Sequence, residues 1–175
     1  MADVFFKQID IDRILREKIP GYYKYVPKFI VSYLKKIVHQ DELNTFLHNS
    51  EGKIGVDFLK ASLDFLDTKI TVNGYENLPK DGLYTFVCNH PLGGQDGVAL
   101  GYILGTFYEG KVKYMVNDLL MNLSGLAPLC IPINKTGKQA KDFPRIVKAG
   151  FASDDQLIMF PAGLCSRRIN GVIRD

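Results

Sequence analysis

Apolar positions recur at helical spacing through the first seventy residues and then give way to short β-branched and aromatic runs separated by turns. The texture of the chain therefore changes near residue 68. Helical spacing runs over residues 10–18, 26–38, 41–48 and 56–66, with breaks at Pro20-Gly21, Pro27 and Ser50-Glu51-Gly52. Beyond them the pattern predicts strands over 69–73, 83–88, 112–116, 129–133 and 156–160, and helices over 96–108 and 139–149. A turn is expected over 77–82, where Pro79 and Gly82 punctuate a polar stretch. Strands alternating with helices favour an α/β fold with a mixed, partly parallel sheet flanked by helices and preceded by a small N-terminal helical layer. Two parts follow: a helical segment at 1–68 and an α/β core at 69–175.

Composition narrows the class without naming it. The chain has 175 residues, 46% of them hydrophobic and 23% charged, enough to bury a substantial core. Three cysteines at irregular spacing point to a reducing compartment rather than a disulfide framework. A net charge of +3 is only mildly basic, and no nucleic-acid-binding module accompanies it, so no nucleic-acid partner is expected. Met1-Ala2-Asp3 opens without a basic, signal-like region, and no apolar run is long enough to span a bilayer. No Walker-type loop, Gly-x-Gly-x-x-Gly turn, Cys-x2-Cys pair or His-Glu-x-x-His motif occurs, which argues against nucleotide and zinc chemistry.

The chemistry-bearing stretch is Asn89-His90-Pro91-Leu92-Gly93-Gly94-Gln95-Asp96, between an apolar strand and an apolar helix. Strand-to-helix loops in α/β proteins lie beyond the carboxyl ends of the strands, where ligands bind. An imidazole there suits proton abstraction near neutral pH, and a nearby carboxylate can orient it. A plain glycine-containing turn is the alternative reading of this stretch alone. The second such stretch follows Gln156–Phe160: Pro161-Ala162-Gly163-Leu164-Cys165-Ser166-Arg167-Arg168. Between the two lies Leu123-Ser124-Gly125-Leu126-Ala127-Pro128, followed by Leu129-Cys130-Ile131-Pro132-Ile133-Asn134-Lys135.

These three blocks, in this order, resemble the glycerol-phosphate acyltransferase superfamily, which includes the lysophosphatidate acyltransferases. The resemblance spans about residues 70–170, and the first seventy residues carry none of its motifs. It implies His90 as general base and Asp96 as its partner. It also implies Asn89, Gly93, Gly94, Phe160, Pro161, Gly163, Ser166, Arg167 and Arg168 as substrate-binding residues. The donor would be an acyl-carrier-protein or coenzyme A thioester, the acceptor the hydroxyl of a lyso-lipid, with no other cofactor and no metal. Family members continue with further strands and helices after the last block, so the core is expected to be incomplete at its C-terminus.

Two departures from the family pattern carry information. Five residues separate His90 from Asp96 where the family has four, so Gln95 competes for the acid position. We favour Asp96, since glycines accommodate a looped-out residue and only a carboxylate stabilises an imidazolium. In the later block Ala162 replaces the usual Glu and Cys165 the usual Arg. That substitution is similar to the haemolysin-like branch, whose members acylate lyso-aminolipids; Arg167 and Arg168 would then meet an anionic head group. Cys88 and Cys165 are not required as nucleophiles, because direct attack by the lipid hydroxyl needs only a base.

Outside the motifs, His39 and His48 are expected on solvated faces. Gly101 and Gly105 read as close packing of a helix on the sheet rather than a dimer seam. Tyr22, Tyr23, Tyr25, Phe29 and Tyr33 are interleaved with Lys24, Lys28, Lys35 and Lys36, a mixture suited either to an ordinary amphipathic helix or to a membrane surface. A lipid substrate favours the membrane, hence a cytoplasmic protein, peripheral on the inner face of the membrane. The competing functional readings are a non-catalytic lipid-binding or membrane-associating domain of the same fold and a thioesterase-like hydrolase.

Overall fold

The computed structural model describes residues 8–133, 143–161, 167–170 and 172–174. It resolves into two compact units, Met1–Gly52 and Lys53–Asp175. The first holds α1 (Ile11–Lys18), α2 (Lys28–Ile37) and α3 (Gln40–Asn49). Asp10 caps α1 by accepting from the Asp12 and Arg13 amides, satisfying N–H groups that have no partner within the helix. Asn44 of α3 both accepts from the Ile9 N–H and donates to its carbonyl, so the residues just ahead of α1 are tied to α3. His39 and His48 both have largely exposed rings, as their polar neighbourhoods predict.

The second unit begins with α4 (Val56–Phe65) and continues through β1 (Thr85–Val87), α5 (Gly94–Phe107), β2 (Val112–Asn117) and β3 (Cys130–Ile133). It closes with α6 (Phe143–Phe151), β4 (Gln156–Met159), β5 (Arg167–Ile169) and β6 (Val172–Arg174). Four strands form a parallel sheet in the order β1-β4-β2-β3, and β5 and β6 pair antiparallel as a separate hairpin. The α/β class and the partly parallel pairing read from the sequence are thus what the chain adopts.

Burial explains the order. β4 is central, and its Gln156, Leu157 and Ile158 are all buried, as a parallel strand covered on both faces requires. Gln156 is the polar exception, and its amide is engaged at both ends: it accepts from the Tyr84 N–H at 2.7 Å and donates to the Gly82 carbonyl at 3.0 Å. That pair of bonds fastens the approach to β1 onto β4. On one face, α5 packs against the sheet through Gly101, where an added Cβ would stand 1.3 Å from Tyr114 Oη. Gly105, one turn on, faces Val56 of α4. Close packing is therefore what this glycine pair serves. Leu59, Leu104, Val112 and Ile158 are fully enclosed at the centre.

One predicted element is absent. Residues 69–73 form no strand but an irregular, largely exposed segment. β-branched side chains favour a strand only where a neighbouring edge supplies a ladder, and no described strand pairs with them. β1 is likewise shorter than the predicted 83–88, while α5 starts two residues earlier than predicted. The helix predicted over 139–149 is described from Phe143, with 139–142 outside the described residues, and runs on to Phe151.

Candidate active site

The site forms where β1 and β4 end side by side. Val87 is in register with Met159, and the Cys88 N–H donates to the Met159 carbonyl at 3.1 Å. Two loops that are about seventy residues apart in the chain therefore leave the sheet at one point. His90 follows β1, Phe160 follows β4, and their rings stack with centroids 4.3 Å apart and planes inclined by 29°.

The turn after His90 folds back because of one glycine. Gly93 has φ 72° and ψ −129°, a conformation that any Cβ opposes, and α5 begins at the next residue. Asp96 consequently sits in the first turn of α5, and its Oδ2 accepts from the Leu92 N–H at 2.6 Å. The same oxygen lies 3.5 Å from His90 Nδ1, with each side chain about one-fifth exposed. Gln95 is engaged elsewhere, its Nε2 donating to Thr68 Oγ1 at 2.7 Å. Of the two acid-position candidates, the one facing the imidazole is Asp96. Gly94 has open space where a Cβ would stand, so the pair of glycines divides into one required by backbone conformation and one that is not.

Two cavities meet at this point. A cleft of about 320 Å³ runs over the carboxyl ends of β2, β3 and β4, and His90 and Asn117 contribute its polar groups. Beside it an apolar pocket of about 160 Å³ reaches inward between α4, α5 and β2, past Leu59, Val98 and Tyr114 to Leu126. Tyr114 donates its hydroxyl to the Gly97 carbonyl at 2.8 Å, and burial raises its phenol well above the ordinary range. Burial also pushes the Cys88 thiol up, and Cys130 up to about 11. Both shifts disfavour the thiolate form that a cysteine nucleophile needs. Among the described residues no cluster of three or more potential metal ligands forms.

Of the residues singled out from the sequence, His90, Asp96, Gly93, Gly94, Phe160 and Pro161 gather here. Pro161 lines the cleft, Gly94 the apolar pocket, and Phe160 both. Asn89 is exposed and lines neither cavity. Gly163 and Ser166 lie outside the described residues, as do Ala162 and Cys165; Arg167 and Arg168 open β5. Sequence reasoning did not single out Asn117, Leu120, Met115 or Leu59 as site residues. For Asn117 a signal existed, because it is the polar residue directly after the strand predicted over 112–116; the apolar wall residues had none, since their spacing is that of any core helix or strand.

A family model described as acyltransferase matches residues 13–175. It begins well ahead of the first recognisable motif, so the helical N-terminal region is part of the family pattern even though no motif marks it. A curated relative from Bacteroides thetaiotaomicron, named lyso-glycine lipid O-acyltransferase, is 74% identical over all 175 residues of this chain and 64% of its own length. A relative of the same name from Phocaeicola vulgatus is 66% identical, again over the whole chain and 63% of its own length. The chain thus spans a little under two thirds of the curated relatives it matches. No solved structure matches it.

Proposed function

The chain belongs to the acyltransferase family, and from that premise we propose that it moves a fatty acyl group from an acyl thioester to the hydroxyl of a lyso-aminolipid. The observation that carries the proposal is the placement of His90: it stands at the junction of a cleft and an apolar pocket, with a carboxylate 3.5 Å behind its ring. A glycine-headed lyso-lipid is the first acceptor to test, since both relatives are named for one.

The chemistry follows from the groups present. A lipid hydroxyl is a weak nucleophile at neutral pH, so His90 takes its proton as the oxygen bonds to the thioester carbonyl carbon. Asp96 balances the imidazolium that forms, as the acid of a Ser-His-Asp triad does. The tetrahedral adduct collapses by breaking the carbon–sulfur bond, and the imidazolium returns the proton to the departing thiolate. Free thiol and O-acylated lipid result, with no acyl-enzyme. The N–H groups of Gly94 and Gln95 at the start of α5 are candidates for the oxyanion, because a helix N-terminus presents donors without intrahelical partners, the Asp96 N–H being already given to the Gly93 carbonyl. The apolar pocket suits methylene groups, and Arg167 and Arg168 are the candidate partners of the acceptor's carboxylate. Acyl-carrier protein and coenzyme A are the two donor carriers to compare.

The Met1–Gly52 unit supplies a rationale for reaching a bilayer-bound acceptor. Residues 11–38 carry seven basic and two acidic side chains, and Tyr22, Tyr25, Phe29 and Tyr33 are exposed beside them. Aromatic and cationic side chains together suit an anionic headgroup region. No described helix is long and apolar enough to cross a membrane. We propose a peripheral location at the cytoplasmic face of the membrane, where a bilayer-bound acceptor would be reached.

The test is transfer of label from a long-chain acyl thioester to a panel of lyso-lipids, amino-headed and phosphate-headed, by the wild type and by His90→Ala. Transfer to the amino-headed acceptor that falls by about 10²–10⁴, the range for losing a general base, supports the proposal. Wild-type transfer by His90→Ala removes His90 as the base. A wild type that binds lyso-lipid without transferring label would make the chain a binding domain, and release of free fatty acid without acceptor would make it a hydrolase.

A further inference from the structure

We infer that Phe160 is a positioning residue for His90: its ring, stacked on the imidazole, sets the plane of the base and keeps the cleft and the apolar pocket apart. The inference rests on the acyl-transfer reading above and assigns Phe160 a role other than substrate contact.

Four observations support it. First, the polar contacts of His90 do not fix its ring, because Nδ1 is buried without a hydrogen-bond partner. The nearest carboxylate oxygen, Asp96 Oδ2, stands 3.5 Å away and is already held by the Leu92 N–H at 2.6 Å. A ring without that bond is free to turn about its Cβ–Cγ axis unless something flat lies against it. Second, something flat does: the Phe160 ring covers one imidazole face at 4.3 Å and 29°. Third, the platform is itself rigidly placed, since Phe160 directly follows Met159, whose carbonyl accepts from Cys88 two residues before His90. Base and platform are carried by the same strand pair, so they move together. Fourth, among the described residues His90, Phe160, Val116 and Leu120 are those that line both cavities, which makes the stacked rings part of the wall between them.

Substrate contact and positioning predict different kinetics. Removing a contact made equally in ground and transition states raises KM, whereas misorienting a base lowers kcat. The experiment compares Phe160→Leu, which keeps apolar bulk and loses the flat face, with Phe160→Tyr, which keeps the face, using the full chain, a labelled long-chain acyl thioester and a lyso-glycine lipid. Thermal melting confirms folding, and Phe160→Met replaces the Leu variant should that one fail to fold.

Phe160→Leu is expected to lower kcat by about 10²-fold, the scale of a small misplacement at a reacting group, with KM for both substrates unchanged. Phe160→Tyr should restore kcat. In the NMR spectrum the His90 ring-proton resonances, shifted by the Phe160 ring current, should move in the Leu variant and stay in the Tyr variant. Unchanged kcat in Phe160→Leu, or a raised KM with kcat intact, overturns the inference while leaving the acyl-transfer reading standing. His90→Ala, run alongside, separates the two: if it transfers label like the wild type, the acyl-transfer mechanism itself fails, whatever the Phe160 variants do.

Discussion

The two units of this chain differ in how much apolar core each closes among the described residues. In Lys53–Asp175 a closed core forms around Leu59, Leu104, Val112 and Ile158, which are fully enclosed, while Leu83, Val87, Leu92 and Phe151 stand exposed outside it. In Met1–Gly52 Val31 and Leu47 are the buried large apolar residues among those described, while Tyr22, Tyr25, Phe29, Tyr33 and Ile37 stand more than half exposed. Phe29, Tyr33 and Ile37 are four residues apart along α2 and so share one helix face, and exposed apolar patches on one face are a mark of interaction sites. The difference teaches that a unit with a closed core can hold a geometry, whereas the other offers chiefly a surface. Substitutions in the first should change rate and stability; those in the second should change location.

The largest expected effect belongs to Asp96. Asp96→Asn keeps an oxygen for the Leu92 N–H and so preserves the turn, but loses the charge opposite the imidazolium. We expect transfer to fall by about 10²–10⁴, as when the acid of a Ser-His-Asp triad is neutralised, with the melting temperature nearly unchanged. Asp96→Ala loses both functions and should lower the melting temperature as well. Equal rates for wild type and Asp96→Asn would show that Asp96 serves the loop alone.

Leu59→Ala comes next. It empties part of the core and the wall of the apolar pocket at once, and should cost about 2–5 kcal/mol of stability, read as a lower midpoint in urea. Gly101→Ala is smaller but sharper in cause. The added methyl would overlap Tyr114 Oη, which donates to Gly97, so that bond or the helix packing must give. Overpacking of this kind costs about 1–3 kcal/mol. A variant as stable as wild type would show that α5 sits less closely on the sheet than described.

The smallest stability effect is expected in the other unit. Replacing Phe29 and Tyr33 by Ser should leave the unfolding midpoint within about 0.5 kcal/mol, as exposed sites usually do, yet weaken sedimentation with anionic phospholipid vesicles. Undiminished vesicle binding would break the contrast drawn between the units. Lys35 makes a less informative target, because it is already paired with Asp12, whose carboxyl the Lys35 ammonium and the Tyr23 hydroxyl hold below its usual range.

Much of this was legible along the chain. The 3.6-residue spacing located α1 to α4, and the β-branched runs located β1 to β4, because those periodicities follow directly from backbone geometry. The motif order singled out His90, Asp96 and Phe160 for a reason internal to the sequence: each lies in a loop or first turn following a strand. Residues 69–73 misled for an equally physical reason, since strand propensity has no effect without an edge to pair with.

Three matters were decided only by tertiary structure. The insertion of β4 between β1 and β2 brings Phe160 against His90, and strand order is a long-range choice that local propensity does not encode. The choice of Asp96 over Gln95 depended on the left-handed turn at Gly93 and on Thr68 capturing the amide, a contact made across the fold. The fate of the aromatics was the third: helical spacing gives an apolar face to Phe29 and to Phe58 alike, but burial belongs to whatever packs on that face. The sequence therefore determined which groups are available for chemistry, and the packing of the sheet determined which of them meet.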